Sequence, residues 1–485
     1  MLKTFLRDSL LYALSSLLTR GLTFLLLPFY TRLFSPEDFG VLDYLTVLGS
    51  FVSVTLALEI AQGVARFMPE LLHDPVARRA YASTSFWFTL ANYTLLVILV
   101  LVFQQELAVL LFDSSRYAGL LVVASVSFWI NGLVYLVQGQ LTWGLRAKAS
   151  SLLSMTSALM VIILTMMFVL WLRWGVMGAL IAQVLSGLIT LAIGFRLTRS
   201  NFGFEFEWPR LREMLAYSVP LVPSSVGVIV SYYVDRIVIK ELMSLADVGL
   251  YGVGYRLAMV ASLAMIGLRT ALTPLVYAHH KDAGTPAELA RIFRIFCALA
   301  LLLSALLTLF AREAVAILAP PSYAGAATVV PLLTLSVLFS GMYTFAPGLD
   351  IAKRTGIIAI INLSAALLNI GLNYALIPPL GIVGSALATS ISAVASFCAY
   401  MWFSQRLYPV PHAWGPLLAA LLMVLIGTQV VAQVQTGTWH DFVLKGLFLI
   451  VTAAVIVRLR LLEPVEIGRV WRMIKERSPT TLSAW

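Results

Sequence analysis

Stretches of about 20 predominantly apolar residues recur from one end of the chain to the other, separated by short polar connections. That length of α-helix crosses a hydrocarbon core of roughly 30 Å, at about 1.5 Å per residue, while satisfying its own backbone hydrogen bonds where there is no water. A water-soluble fold of 485 residues would need more charged surface than the 12% of Asp, Glu, Lys and Arg present against 60% hydrophobic residues. The apolar windows predict helices over 8–33, 41–66, 81–103, 118–140, 151–172, 175–195, 211–233, 248–276, 289–310, 325–348, 356–377, 381–403, 413–434 and 441–460. The expected fold class is an all-α polytopic membrane protein of about 14 transmembrane helices, with no connection long enough for a separate soluble domain.

The net charge of +10 does not point to nucleic acid, because the basic residues are scattered through short connections rather than gathered in a tract. Membrane topology accounts for it better. With the N-terminus inside, about 23 Lys and Arg fall on the cytoplasmic side and about 7 outside, so both termini are expected to be cytoplasmic. Cys297 and Cys398 lie in apolar runs and suggest neither a disulfide nor a metal site, and all five histidines lie in connections. No short apolar region ending in a small-residue cleavage site opens the chain, so its start is expected to be the first helix.

The first twelve helices read as an internal duplication. "FSPEDFGVLDY" from Phe34 parallels "MSLADVGLYGV" from Met243, "YAG" at Tyr117 recurs at Tyr323, and "GVMGALIA" at Gly175 recurs as "GIVGSALA" at Gly381, at offsets of 206 to 209 residues. Each copy holds six helices, an even number, so the copies should be related by a pseudo-two-fold axis along the membrane normal. The expected organisation is an N-terminal lobe over 1–205, a second over 206–410, and two further helices with a basic tail over 411–485.

Charges inside the spans are the candidate functional residues. Arg20, about 12 residues into the first helix, should lie roughly 18 Å from its cytoplasmic end, near mid-membrane. Holding an arginine there costs from about 2.5 kcal/mol to more than 10, so something must offset it. Arg256 and Arg269 occupy the eighth window; Arg256 is the better partner for Arg20 in lining a cavity, and Arg269 either joins them or reaches the headgroups. Glu59 is the carboxylate placed well inside a span, either pairing structurally with Arg20 or Arg66 or acting in ion coupling or gating. Asp43 and Asp235, nearer helix ends, are further coupling or gating candidates.

Under the repeat, Arg256 and Arg269 fall opposite Val47 and Ile60, so the scaffold is duplicated and the charges are not. Guanidinium groups without fixed carboxylate partners would suit an anionic cargo, above all a phosphate, which arginine binds through two parallel hydrogen bonds. Pro28, Pro220 and Pro223 remove backbone donors within predicted helices and are candidate hinges. No phosphate-binding loop, HExxH or GxSxG pattern is present, so neither enzymatic activity nor a cofactor is expected.

"LLPFYTRLFSPEDFGVLDYLTVL", "YYVDRIVIKELMSLADVGLYGVGYRLA" and "NLSAALLNIGLNYALIPPLGIVGSALATSIS" resemble the polysaccharide biosynthesis (O-antigen and exopolysaccharide) flippase family of the multidrug/oligosaccharidyl-lipid/polysaccharide exporter superfamily, over about residues 5–405. The resemblance implies a transporter moving an undecaprenyl-diphosphate-linked oligosaccharide between leaflets of the bacterial inner membrane by alternating access, with membrane lipids, a polysaccharide polymerase and glycosyltransferases as partners. Na⁺, H⁺ and membrane potential are all compatible as the energy source. A lipid II flippase and a multidrug extruder of the same superfamily stay open as alternatives, and a membrane polysaccharide polymerase is disfavoured by the short connections.

Overall fold

The computed structural model describes residues 21, 24–71, 74–144, 146–262, 272, 276, 279–433 and 439–462. Among these, 12 helices are long and apolar enough to cross a membrane, and each overlaps one of the predicted windows. The remaining windows, 8–33 and 248–276, are only partly described; there Leu27–Leu33 and Leu245–Ala258 are helical. The chain is an all-α, multi-pass membrane protein.

Packing divides it into two compact units. The first takes in the chain up to Arg256 with Val315–Ala326 and Asn362–Thr389; the second takes in Leu257–Ala314, Ala327–Ile361 and the chain from Ser390. Within the first unit, the helix Ala118–Trp143 packs against Gly175–Thr198. Ile130 and Val137 on one face meet Gly187 and Gly194 at the same spacing on the other, where an added Cβ would come within 2.5 and 2.7 Å of the facing side chains. Small residues of this kind let helices approach closely in lipid, where apolar side chains gain nothing by leaving the solvent.

The repeated sequence motifs adopt the same local geometry. Ser35 caps the helix Pro36–Thr55, its hydroxyl accepting from Asp38 N while the Asp38 carboxylate accepts from Ser35 N. Ser244 accepts from Asp247 N in the same way at the start of Leu245–Ala258 and donates to the Asp247 carboxylate. These caps fix where both helices begin. Five residues on in each copy stand Gly40 and Gly249, which press backbone against backbone: a Cβ on Gly40 would lie 1.7 Å from Leu245 O, and one on Gly249 would lie 1.9 Å from Pro36 O. Gly175 and Gly381, also equivalent, have φ of +58° and +61°, a left-handed backbone that glycine adopts without steric cost at the turn into each following helix.

The second predicted helix differs from expectation. Instead of one run over 41–66 it starts at Pro36, stops at Thr55 and resumes as Ile60–Phe67, with Leu58 and Glu59 left-handed between at φ +47° and +53°. Ser218 Oγ donates to Leu58 O at 2.8 Å and Asn92 Nδ2 to Leu56 O at 3.3 Å, satisfying carbonyls that the break frees. The candidate hinge prolines also sit at interruptions. Pro220 lies in the 3₁₀ turn Val219–Leu221, Pro223 opens the helix Val222–Leu242, and Pro28 follows a turn at Leu26 in the first turn of Leu27–Leu33.

In the second unit, Phe293 of the helix Thr285–Leu309 anchors an aromatic cluster, with ring centroids 5.0 Å from Phe345, 4.6 Å from His412 and 5.9 Å from Trp414. The Lys445 ammonium, buried on the helix Trp439–Arg458, pairs with the Glu313 carboxylate and ties that helix to the unit.

Two consequences are measurable by thermal unfolding in detergent. Gly40→Ala and Gly249→Ala should each destabilise the protein by about 1–3 kcal/mol, because the added methyl must displace a carbonyl of the crossing helix. His412, in the connection between Leu407 and Trp414, has its pKa lowered from 6.5 by burial, and neither ring nitrogen has a hydrogen-bond partner among the described residues. Protonation therefore costs the folded state more than the unfolded one, and stability should fall as pH drops below about 6.5 until the lowered pKa is passed. His412→Phe should flatten that acid-side loss; an unchanged pH profile would contradict it.

Candidate functional site

The Gly40–Gly249 crossing decides what lies one turn deeper. With both backbones in contact, Asp43 lies over the bare face of Gly252, where an added Cβ would meet Asp43 Oδ2 at 2.8 Å. From there it reaches the next turn of the helix Leu245–Ala258, and Arg256 Nη2 donates to Asp43 Oδ1 at 2.8 Å. The other carboxylate oxygen lies 3.6 Å from Nε of Arg236, which the helix Val222–Leu242 brings in.

Arg236 is almost fully enclosed, its side chain 3% exposed. Its Nη1 donates to both oxygens of the adjacent Asp235, at 2.8 and 3.0 Å, and to Tyr232 O at 3.0 Å. The rings of Tyr255, Tyr251 and Tyr233 stand 4.1, 5.1 and 5.7 Å from the guanidinium carbon, so its charge is met by aromatic faces as well as carboxylates. Tyr251 Oη donates to Asp235 Oδ2 at 2.7 Å. A polar ladder continues beyond Tyr251. Thr389 lies 3.4 Å from its hydroxyl and accepts from Asn369 at 3.3 Å, and Asn373 donates to Asn369 O and accepts from Ser385 at 2.7 Å.

Two guanidiniums and two carboxylates make this cluster neutral as a whole. Desolvating four charges is unfavourable, and only their mutual pairing makes the arrangement tolerable inside a span. Arg256 is the least enclosed member, its side chain 32% exposed, with its guanidinium 4.4 Å from the Phe39 ring centroid. Its Nη1 is buried and has no hydrogen-bond acceptor among the described residues. Arg236 Nε, 3.6 Å from Asp43, is likewise buried with no hydrogen-bond acceptor among the described residues, so each arginine keeps one unused donor and Arg256 is the more accessible of the two.

Three sequence candidates, Asp43, Asp235 and Arg256, therefore meet in one site, whereas Arg20 and Arg269 lie outside the described residues. The expectation that Arg256 lacks a fixed carboxylate is corrected: Asp43 holds it, because the glycine crossing brings two sequence-distant helices into contact. Glu59 does not join them. It sits half-buried at the helix break, and no described cation lies within salt-bridge distance of its carboxylate. Arg236 was missed. Its signal was the Asp-Arg pair at 235–236, just past the predicted window 211–233 and set between Tyr232, Tyr233 and the apolar run Ile237–Ile239.

A family profile described as "Polysaccharide biosynthesis protein" matches residues 5–280, more than half of the chain. The chain belongs to this family. As a polysaccharide biosynthesis family member it also matches the MatE family over residues 220–375. Succinoglycan biosynthesis transport protein ExoT of Rhizobium meliloti is 24% identical over 442 residues, covering 87% of this chain and 86% of that protein. A protein of the Lsg locus of Haemophilus influenzae is 23% identical over 276 residues, 56% of this chain and 65% of that protein.

Among solved structures, the lipid II flippase MurJ in an inward closed conformation superposes with a TM-score of 0.69 at 16% identity, over 93% of this chain and 99% of MurJ. An inward-facing multidrug resistance MATE family transporter of the MOP superfamily gives 0.64 at 16% identity, over 81% and 95%. At these identities the likeness shows a shared fold.

The pairing in the cluster is testable in this family member. Arg236→Gln should cost about 3–5 kcal/mol, because it strands the Asp235 carboxylate in the protein interior. Arg236→Gln combined with Asp235→Asn should lose less than the single change, since the stranded charge is gone. Thermal unfolding in detergent distinguishes the two, and equal losses would refute the pairing.

Proposed function

We propose that this chain is a flippase that carries an undecaprenyl-diphosphate-linked oligosaccharide across the bacterial cytoplasmic membrane for O-antigen or exopolysaccharide assembly. The observation that carries this reading is Nη1 of Arg256, the more exposed arginine of the cluster, a donor with no acceptor among the described residues. A phosphate oxygen accepts from such a donor, and a diphosphate can take both nitrogens of the guanidinium if it displaces Asp43. Asp43 then has Arg236 as its remaining cation, so the exchange strands no carboxylate. Arg20 and Arg269 are assigned to the same headgroup as further cationic contacts.

The family membership supports the substrate class, as does the succinoglycan biosynthesis transport named for ExoT. The fold shared with a lipid II flippase agrees with a lipid-linked cargo. The cycle proposed is alternating access between a lobe over 1–205 and one over 206–410, with 411–485 appended, both termini cytoplasmic, and Pro28, Pro220 and Pro223 as hinges. Coupling to Na⁺, H⁺ or the membrane potential would act through Asp43, Asp235 and Glu59. A polymerase and glycosyltransferases acting on the same lipid-linked intermediate are the proposed partners. A second reading, export of organic cations, is favoured by the two buried carboxylates and the MatE match.

Reconstitution into liposomes containing a lipid-linked diphosphate oligosaccharide separates the two. Wild-type protein should expose the sugar on the opposite leaflet to an added lectin. Arg256→Ala should slow this roughly 10- to 150-fold, corresponding to the loss of about 1.5–3 kcal/mol of charge-assisted hydrogen bonding. Arg256→Lys should also fall well short of wild type, because an ammonium lacks the planar pair of donors. Wild-type rates in well-incorporated Arg256→Ala protein, or uptake of a cationic dye in place of the lipid-linked sugar, would refute the proposal.

A further inference from the structure

The short segment joining the spans Gly175–Asn201 and Trp208–Leu242 reads Phe-Gly-Phe-Glu-Phe-Glu-Trp, alternating aromatic and acidic residues from Phe204 to Trp208. Its backbone is extended at both ends, Phe202 at φ −120°, ψ 144° and Glu207 at φ −113°, ψ 108°, so successive side chains point to opposite sides.

One side is polar and fastened to the helix Pro75–Val102. Glu205 lies 3.1 Å from Arg79 Nε and accepts from Ser83 Oγ, Gly203 N donates to Ser83 Oγ at 2.8 Å, and Glu207 N donates to Thr84 Oγ1 at 3.0 Å. Trp87 Nε1 donates to Gly203 O at 3.0 Å, and its ring stacks on Phe204. The other side carries Phe204, Phe206 and Trp208, which are 91%, 49% and 67% exposed.

We propose that residues 204–208 are an interfacial anchor whose three aromatic side chains enter the boundary between headgroups and acyl chains of one leaflet, with phospholipid as the partner. The placement argues for lipid. Only six residues, 202–207, separate two spans, which keeps the segment close to one face of the membrane. The lipid-facing stripe also runs up to it, since Ile189, Ile193 and Leu197 recur every fourth residue on the preceding helix and are each exposed.

Aromatic rings are stabilised at that depth, where an apolar body meets partly hydrated surroundings. The carboxylates, which anionic headgroups would repel, are each paired with an arginine, Glu205 with Arg79 of the helix Pro75–Val102 and Glu207, at 3.5 Å, with Arg210 of the following helix. The anchor therefore presents aromatic rings to lipid while its charges are paired with arginines. This inference stands on the multi-pass fold and is independent of the cargo.

The test uses the full-length chain with Cys297→Ser and Cys398→Ser, a single cysteine introduced by Phe204→Cys or separately by Phe206→Cys, and an environment-sensitive fluorophore. The protein is placed in phosphatidylethanolamine/phosphatidylglycerol liposomes, with Asp282→Cys as the water-exposed reference. Spin-labelled lipids carrying the quencher at acyl carbon 5 should quench the 204 and 206 labels more than those carrying it at carbon 12. Aqueous iodide, supplied on both sides, should quench them severalfold less than the label at 282. Iodide quenching equal to that at 282 would overturn the anchor, as would insensitivity to both quenchers, which would indicate cover by protein.

Discussion

The contact of two backbones at Gly40 and Gly249 sets the geometry on which the candidate site depends. Any side chain there would hold the helices Pro36–Thr55 and Leu245–Ala258 apart, since an added Cβ would fall within 2 Å of a carbonyl oxygen of the partner helix. In lipid, where no hydrophobic force draws helices together, close approach of this kind is the means by which distant parts of the chain come into register. Asp43 and Arg256 lie 213 residues apart, yet each follows its glycine within two turns, and the crossing brings carboxylate and guanidinium to hydrogen-bond distance.

The same region separates what the duplication repeats from what it does not. Capping serines, the crossing glycines and the left-handed glycines at 175 and 381 occur in both copies with matching geometry. Arg236, Arg256, Asp43 and Asp235 have no such counterparts: in the register of Gly40 and Gly249, Asp43 stands opposite Gly252 and Arg256 opposite Val47. Gly252 is itself informative, because the absence of a side chain opposite Asp43 leaves room for that carboxylate. Positions equivalent in the scaffold thus became complementary in the site, one supplying a charge and the other the space to hold it.

Most of the fold was legible because its signals are local. A run of apolar residues announces a span wherever it occurs, but it does not register the capping serines that set the true helix starts, and the second window begins at 41 where the helix begins at Pro36. The pairing of Arg256 was not legible, because periodicity states which face of a helix a residue occupies and not which helix meets that face. The enclosure of Arg236 was hidden for the same reason, although its apolar flanks and surrounding tyrosines marked it as costly to bury. The break at Leu58–Glu59 escaped for a different one. Alanine, leucine and glutamate at 57–59 are good helix formers with no glycine or proline among them, and the interruption is supported by Ser218 and Asn92 from elsewhere in the fold.

A neutral cluster with unused arginine donors also suits a carrier better than a bare positive charge would. Unpaired guanidiniums deep in a span would bind a diphosphate so strongly that release would limit the cycle, because nothing in the empty state competes for them. With Asp43 already on Arg256, the proposed cargo gains only the difference between two anionic partners, and the carboxylate returns as the phosphate leaves. Binding and release then become near-balanced exchanges, which a transporter needs if one site is to load on one side and empty on the other. Arg236, held on both sides by carboxylates and faced by three aromatic rings, keeps Asp43 in place through that exchange.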